Sequence, residues 1–276
     1  MRMTLLSSPE DGNTAITAYL NLPTHRLHYR IDGADTSAPW LVFCNSLGTD
    51  VHMWDPQIAE LSQHFRVLRY DCRGHGRSSA PPPPYALSDL GNDVIALLDA
   101  LKIERAHFCG LSIGGLTGQW LGVNASHRFD RIAVCATAAR IGTAESWMAR
   151  IEAVKADGLA SLIAATAERW FTPEFRTVEP GVVQKVLDSF VATTVDGYNG
   201  CCAALAGADL REDLQRIANP LLAISGDDDP VCPPSDLKTI AACVEQGRHL
   251  SLPGRHVVNI ESSQAFNAAL LAFLRS

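Results

Sequence analysis

No long run of lysine or arginine occurs in this 276-residue sequence, and 23 basic against 30 acidic residues leave a formal charge of −7. Nucleic-acid surfaces concentrate positive charge, so that class of function is excluded. Long apolar runs are missing too: nothing approaches the roughly 18 uninterrupted apolar residues of a membrane span. The opening MRMTLLSSPEDGNT has a two-residue apolar run before Glu10 and Asp11, too little for the apolar centre of a secretory leader. No CxxC pair of the zinc-binding kind occurs among Cys44, Cys72, Cys109, Cys135, Cys201, Cys202, Cys232 and Cys243. Several of these cysteines sit in apolar, strand-like runs such as LVFC and AHFC, where the thiol acts as a small buried hydrophobe. They read as reduced thiols in a reducing compartment rather than a disulfide framework. The expectation is a soluble, cytoplasmic chain with no metal, no cofactor, no nucleic-acid partner and no membrane. No internal repeat is visible.

What the sequence has is apolar matter, 47% hydrophobic residues, enough for the core of one large domain or of a domain with an insertion. Residues 15–32 alternate apolar and polar and end at the turn signal Asp32-Gly33, which predicts two antiparallel strands at a sheet edge. Beyond them the runs 40–44, 65–70, 106–109, 131–135 and 221–224 are short and mostly apolar, as in parallel strands covered on both faces. A further strand contains His249. Helical periodicity fills the gaps over residues 54–63, 87–101 and 113–123, and the alternation predicts a three-layer α/β sandwich with right-handed crossovers. Residues 143–214 break this rhythm. They contain helix-like stretches at 145–154 and 182–191 but no convincing strand, which suggests a helical insertion of the kind that often forms a lid.

One short stretch carries chemistry: Phe108-Cys109-Gly110-Leu111-Ser112-Ile113-Gly114-Gly115-Leu116. Gly-x-Ser-x-Gly alone is a weak signal, and a glycine turn with a structural serine is the plain alternative. Here an apolar strand leads in and a helix leads out, the setting of a nucleophile elbow, where a strained serine needs small neighbours. A serine hydroxyl is a poor nucleophile until an oriented base takes its proton. In such folds the acid and then the histidine follow the serine along the chain. Gly226-Asp227-Asp228-Asp229-Pro230-Val231 offers three aspartates for the acid, and Leu252-Pro253-Gly254-Arg255-His256 offers His256 as the base. The remaining histidines lack this placement; His25, His28, His52 and His64 read as solvated surface or edge residues.

From about His25 onward the chain resembles an α/β-hydrolase. Tyr70-Asp71-Cys72-Arg73-Gly74-His75-Gly76-Arg77-Ser78 is similar to that family's D-x-R-G-x-G-x-S loop, in which the histidine is structural. The resemblance implies a mostly parallel eight-stranded sheet, with residues 1–142 and 215–276 as core and a helical cap, 143–214, inserted after the sixth strand. It selects Asp229, third after the strand-ending glycine, as the acid and His256 as the base. It also gives the oxyanion donors as the backbone N–H groups of Leu47, in Asn45-Ser46-Leu47-Gly48-Thr49, and of Ile113. Those motifs, with Ala138-Ala139-Arg140-Ile141-Gly142 and His256-x-x-Asn259-Ile260-Glu261, closely resemble the 3-oxoadipate enol-lactonases, which open a lactone in the β-ketoadipate branch of aromatic degradation.

The resemblance implies a small-molecule lactone or ester as partner, and the sequence leaves a homo-oligomer open. Trp147, Trp170 and Phe171 offer an apolar wall for the acyl pocket, with core packing as the alternative for the latter two; the enol-lactonases have a tryptophan matching Trp147. Arg140 and Arg150 are the candidates for a substrate carboxylate, against a solvated fate for either. Competing activities are a general carboxylesterase, a cofactor-free perhydrolase (disfavoured by Gly48, where that group often has proline) and a silent binding protein. Ser112 excludes the aspartate-nucleophile dehalogenases and epoxide hydrolases.

Overall fold

A computed structural model of the chain describes the backbone of residues 2–6 and all of residues 16–276. Most of the opening read for a secretory leader, and Ala15, lie outside the described residues. One sheet runs through the molecule in the order β1-β2-β3-β5-β4-β6-β7-β8-β9. The strands are β1 Arg2–Leu6, β2 Ile16–Asn21, β3 Arg26–Asp32, β4 Trp40–Cys44 and β5 Arg66–Tyr70. They continue with β6 Ala106–Leu111, β7 Phe129–Cys135, β8 Leu221–Gly226 and β9 Gly247–Leu252. The first three strands and the β3–β5 pair are antiparallel, and β5 through β9 pair parallel. All eight expected strands are present; the ninth, β1, adds an antiparallel rung beside β2.

The parallel strands are apolar on both faces because both faces are covered. Val42, Cys44, Phe108, Ile132 and Val134 enter one core, and Leu41, Phe43, Cys109, Leu111, Ala133 and Cys135 the other. This is the period-two alternation of a strand. Helices α1 Asp55–Leu61 and α11 Ser263–Arg275 close the second face. Helices α2 Leu87–Ala100, α3 Ile113–Asn124 and α9 Pro234–Cys243 close the first. Between β7 and β8 come α4 Ala144–Asp157, α5 Ile163–Trp170, α6 Pro173–Val178, α7 Pro180–Ala192 and α8 Val195–Gly207. Their buried residues, among them Val154, Phe171, Leu187 and Cys202, belong to the same apolar cluster as the first face of the sheet. The short α10 Val258–Glu261 precedes α11.

Two histidines read as solvated are in fact buried. His28 Nδ1 lies 2.7 Å from Asp71 Oδ2, and His25 Nε2 lies 3.2 Å from Asp93 Oδ1. The cause is the loop after β5, which folds back over β3. Asp71 also accepts the N–H groups of Val51 and Arg77, each at 2.8 Å, and Arg73 grips Asp93 through two 2.8 Å bonds. A Cβ on Gly76 would stand 2.4 Å from the Asp71 carboxylate, so the Gly-His-Gly spacing of this loop is a packing requirement. His75 sits within it, its Nδ1 on the Arg73 carbonyl at 3.1 Å, and burial holds its pKa below the ordinary histidine value. It contributes structure, as the family resemblance implied.

Candidate active site

The registers Cys44↔Gly110, Leu111↔Cys135 and Cys135↔Ile224 bring the carboxyl ends of β4, β6, β7 and β8 level. In open parallel sheets this edge is where ligands bind. Ser112 sits there between β6 and α3 with φ 59° and ψ −118°. A non-glycine residue in that region costs about 1–3 kcal/mol and persists only where its surroundings fix it. Its N–H donates to the Cys135 carbonyl at 2.8 Å, and its carbonyl accepts from Thr137 Oγ1 at 2.8 Å. The flanking glycines are sterically required: a Cβ on Gly110 would stand 2.2 Å from the Gly114 carbonyl oxygen, and one on Gly114 2.3 Å from that of Cys44.

Geometry separates the three aspartates. Asp227 is exposed and accepts from Ser251 Oγ, and Asp228 is exposed and paired with Arg255 at 2.9 Å. Asp229 is 3% exposed. Its Oδ1 accepts the N–H groups of Val231 at 2.8 Å and Cys232 at 3.2 Å, and its Oδ2 meets His256 Nδ1 at 2.9 Å. That contact makes Nδ1 the protonated nitrogen and leaves Nε2 as the proton acceptor. The acid and histidine loops are tied together, Asp227 N–H to the Leu252 carbonyl at 2.8 Å and Asp228 N–H to that of Gly254 at 3.0 Å.

Ser112 and His256 line one cavity of ≈ 220 Å³, with Ser46 and Leu47 on the core side. Ser46 N–H is engaged by Met53 Sδ at 3.3 Å, and Thr49 Oγ1 donates to the Ser46 carbonyl at 2.8 Å, which fixes the loop carrying Leu47. Ile113 is the first residue of α3, where backbone N–H groups have no partner within the helix. The inserted helices supply the opposite wall, including Trp147, Trp170, Phe190 and Tyr198. Trp147 is half-buried and donates its indole N–H to the Ile141 carbonyl. Phe171 does not line the cavity; it is fully buried and stacks on Phe175 at 5.6 Å, so for it packing is the outcome.

The two arginines part company. Arg140 is not among the residues lining the cavity; its side chain is 37% exposed and 3.8 Å from Asp209, a carboxylate that Arg211 also holds at 2.6 Å. The structure thus pairs it with a surface carboxylate instead of placing it at the cavity wall. Arg150 lines the cavity, and Arg169 of α5, which nothing in the sequence singled out, lines it as well. Both lie near the buried Tyr198, whose hydroxyl pKa burial pushes up. Burial and the neighbouring Arg150 hold Arg169 below the ordinary arginine value. Among the described residues no Asp or Glu lines the cavity. Two half-buried guanidinium groups at one small space offer N–H donors that an anion could take.

The fold is shared with known proteins. A family model described as alpha/beta hydrolase fold matches residues 39–263. The chain is 45% identical over 237 residues to 3-oxoadipate enol-lactonase 2 of Acinetobacter baylyi, covering 86% of this chain and 89% of that protein. It is 43% identical over 250 residues to 3-oxoadipate enol-lactonase 1 of the same organism, 91% and 93% covered. The crystal structure of the enol-lactonase from Burkholderia xenovorans LB400 superposes with a TM-score of 0.92 at 45% identity, over 94% of this chain and all of that one. No helix among the described residues is long and apolar enough to cross a membrane.

Proposed function

The chain belongs to the α/β-hydrolase family and within it to the 3-oxoadipate enol-lactonases, and from that premise we propose a serine-based ring opening of 3-oxoadipate enol-lactone, with Ser112, His256 and Asp229 as the reacting set. Ser112 Oγ attacks the ring carbonyl while His256 Nε2 takes its proton, and Asp229 keeps the imidazole in the required tautomer. The N–H groups of Leu47 and Ile113 receive the oxyanion. Collapse breaks the ring C–O bond and releases an enolate, which His256 protonates and which becomes the ketone while still attached to the acyl chain. Water then enters, His256 takes its proton, and attack on the ester gives the dicarboxylate and regenerates Ser112. A small cavity suits this substrate; drug-sized ligands occupy pockets of about 300–1,000 Å³.

The observation that carries the reading is the pair Arg150 and Arg169 in a cavity with no acidic lining among the described residues. An enol-lactone acid presents one free carboxylate beyond the reacting ester, and two guanidinium groups accept it. A general carboxylesterase for neutral esters has no use for them. The test compares kcat/KM for the lactone acid, its methyl ester and an activated alkyl ester. Strong preference for the acid is expected. Arg150→Ala or Arg169→Ala should narrow that preference by about 1.5–3 kcal/mol, the size of a hydrogen bond to a charged group. Equal turnover of neutral esters and the lactone acid would leave a general esterase instead.

The oxyanion donors are tested separately. Leu47 is proposed to act through its backbone, so Leu47→Ala should be mild, whereas Leu47→Pro removes the N–H. Losing one such donor costs about 3 kcal/mol in kcat. Small effects from both changes, measured with the protein still folded, would place the donor elsewhere.

A further inference from the structure

Beside the loop that carries His256 lies a carboxylate that the ring-opening chemistry does not use, that of Glu261. Glu261 ends α10, and its Oε1 accepts two donors from Thr172, the backbone N–H at 2.7 Å and the hydroxyl at 2.8 Å. Its Oε2 accepts the backbone N–H of Arg255, the residue immediately before His256. One side chain therefore joins the turn between α5 and α6 to the histidine loop. Gly254 makes room for it: at φ +126°, a Cβ there would stand 3.0 Å from Glu261 Oε2. Two further bonds follow the same seam, Val257 N–H to the Trp170 carbonyl at 3.3 Å and the Arg255 guanidinium to the Glu168 carbonyl. The Arg255 guanidinium is also engaged by Asp228 at 2.9 Å, so the Glu261 charge is met by N–H and O–H donors.

We infer that Glu261 is a positioning residue: it fixes the backbone immediately before His256 and makes the base's geometry depend on the seating of the inserted helices. Asp229 sets the rotation and tautomer of the imidazole, and the acid loop holds the Gly254 carbonyl through Asp228 N–H, while the Arg255 N–H is held by Glu261. Hydrogen bonds to an ionised acceptor are about twice as strong as neutral ones, and this carboxylate collects three across the seam. The inference rests on His256 being the catalytic base.

The test uses a reagent that needs no lactone recognition. An organophosphonate is used to measure the rate of Ser112 labelling, alongside kcat and KM for an activated ester and for the lactone acid, in Glu261→Ala, Glu261→Gln and Thr172→Val. Because ångström-scale misplacement of a catalytic group costs up to about 100-fold, Glu261→Ala should lower kcat and the labelling rate together by about 10- to 100-fold, with KM within about threefold. Glu261→Gln keeps an acceptor for Thr172 but offers an N–H to the Arg255 N–H, so it should fall between wild type and alanine. Thr172→Val removes the hydroxyl donor, and with it the α6 cap that accepts the Phe175 N–H at 3.2 Å, but leaves the Thr172 and Arg255 backbone N–H bonds to Glu261, and should be milder still. If Glu261→Ala does not fold, the graded order of the other two variants carries the same test. A lower melting temperature with unchanged labelling and kcat in the folded fraction would overturn the inference, and so would a change confined to KM. A wild type active on the activated ester and inert on the lactone would refute the substrate assignment and leave the Glu261 comparison intact.

Discussion

Ser112→Ala should retain the fold and lose about six orders of magnitude in kcat, the scale seen when the nucleophile of such a set is removed. The strain at φ 59° is held by bonds from its backbone to Cys135 and Thr137, none of which involves the hydroxyl. The side chain is 7% exposed and faces the cavity, so shortening it opens little space in either core. Circular dichroism and thermal melting should therefore match wild type, and the burst of alcohol released from an activated ester should vanish. A residue of activity above about one part in a thousand, in protein free of wild-type contamination, would mean that another group attacks the carbonyl.

The second large effect separates three consecutive acids. Asp229→Asn should lower kcat by about four orders of magnitude, because the amide can donate to Nδ1 and so put the ring proton on Nε2, where the base is needed. Asp228→Asn touches only an exposed pair with Arg255, and exposed pairs contribute about 0–1 kcal/mol. Asp227→Asn alters an exposed contact to Ser251 and should be similarly mild in steady-state kinetics. Steady-state rates on the three single variants decide the matter. A loss of several orders at Asp227 or Asp228, with Asp229→Asn nearly unaffected, would reassign the acid.

What the sequence made legible, and what it hid, divides along physical lines. Parallel strands buried on both faces announce themselves as short apolar runs, and β4, β6, β7 and β8 lie close to where those runs stand. The elbow is equally visible, because Gly110 and Gly114 are dictated by contacts within a few residues or to the neighbouring strand. Three adjacent aspartates were ambiguous for the opposite reason: composition is the same at each, and only burial and the Val231 and Cys232 N–H groups distinguish Asp229. Helix α8 escaped detection because it is buried nearly all round and carries Gly197 and Gly200, residues that weaken a helical pattern. Their need is tertiary, since a Cβ on Gly197 would stand 2.4 Å from Gly74 Cα and one on Gly200 2.3 Å from the Tyr85 ring. The cations were least legible. Arg140 follows β7 closely in the chain but pairs with Asp209 at the surface, while Arg169 reaches the cavity only because α5 presents that turn to it. His25 and His28 belong with them, since their partners Asp93 and Asp71 are distant in the chain.

The apolar cluster shared between the sheet and helices α4 to α8 also bears on how this enzyme can diversify. A lid that packs by its own core could be exchanged for another, carrying a new specificity with it as a module. Here Phe171, Leu187, Phe190 and Cys202 are interior residues of the same core as Val42 and Phe108. A transplanted set of helices would have to reproduce that interface side chain by side chain, and a mismatch would leave cavities or clashes beside the elbow. The tolerant positions are those whose side chains reach the cavity without filling the core, such as Arg150 and Arg169, each half-buried. New substrates are thus accessible to this scaffold through point replacement at the cavity wall, with the helices themselves inherited as part of the hydrolase body.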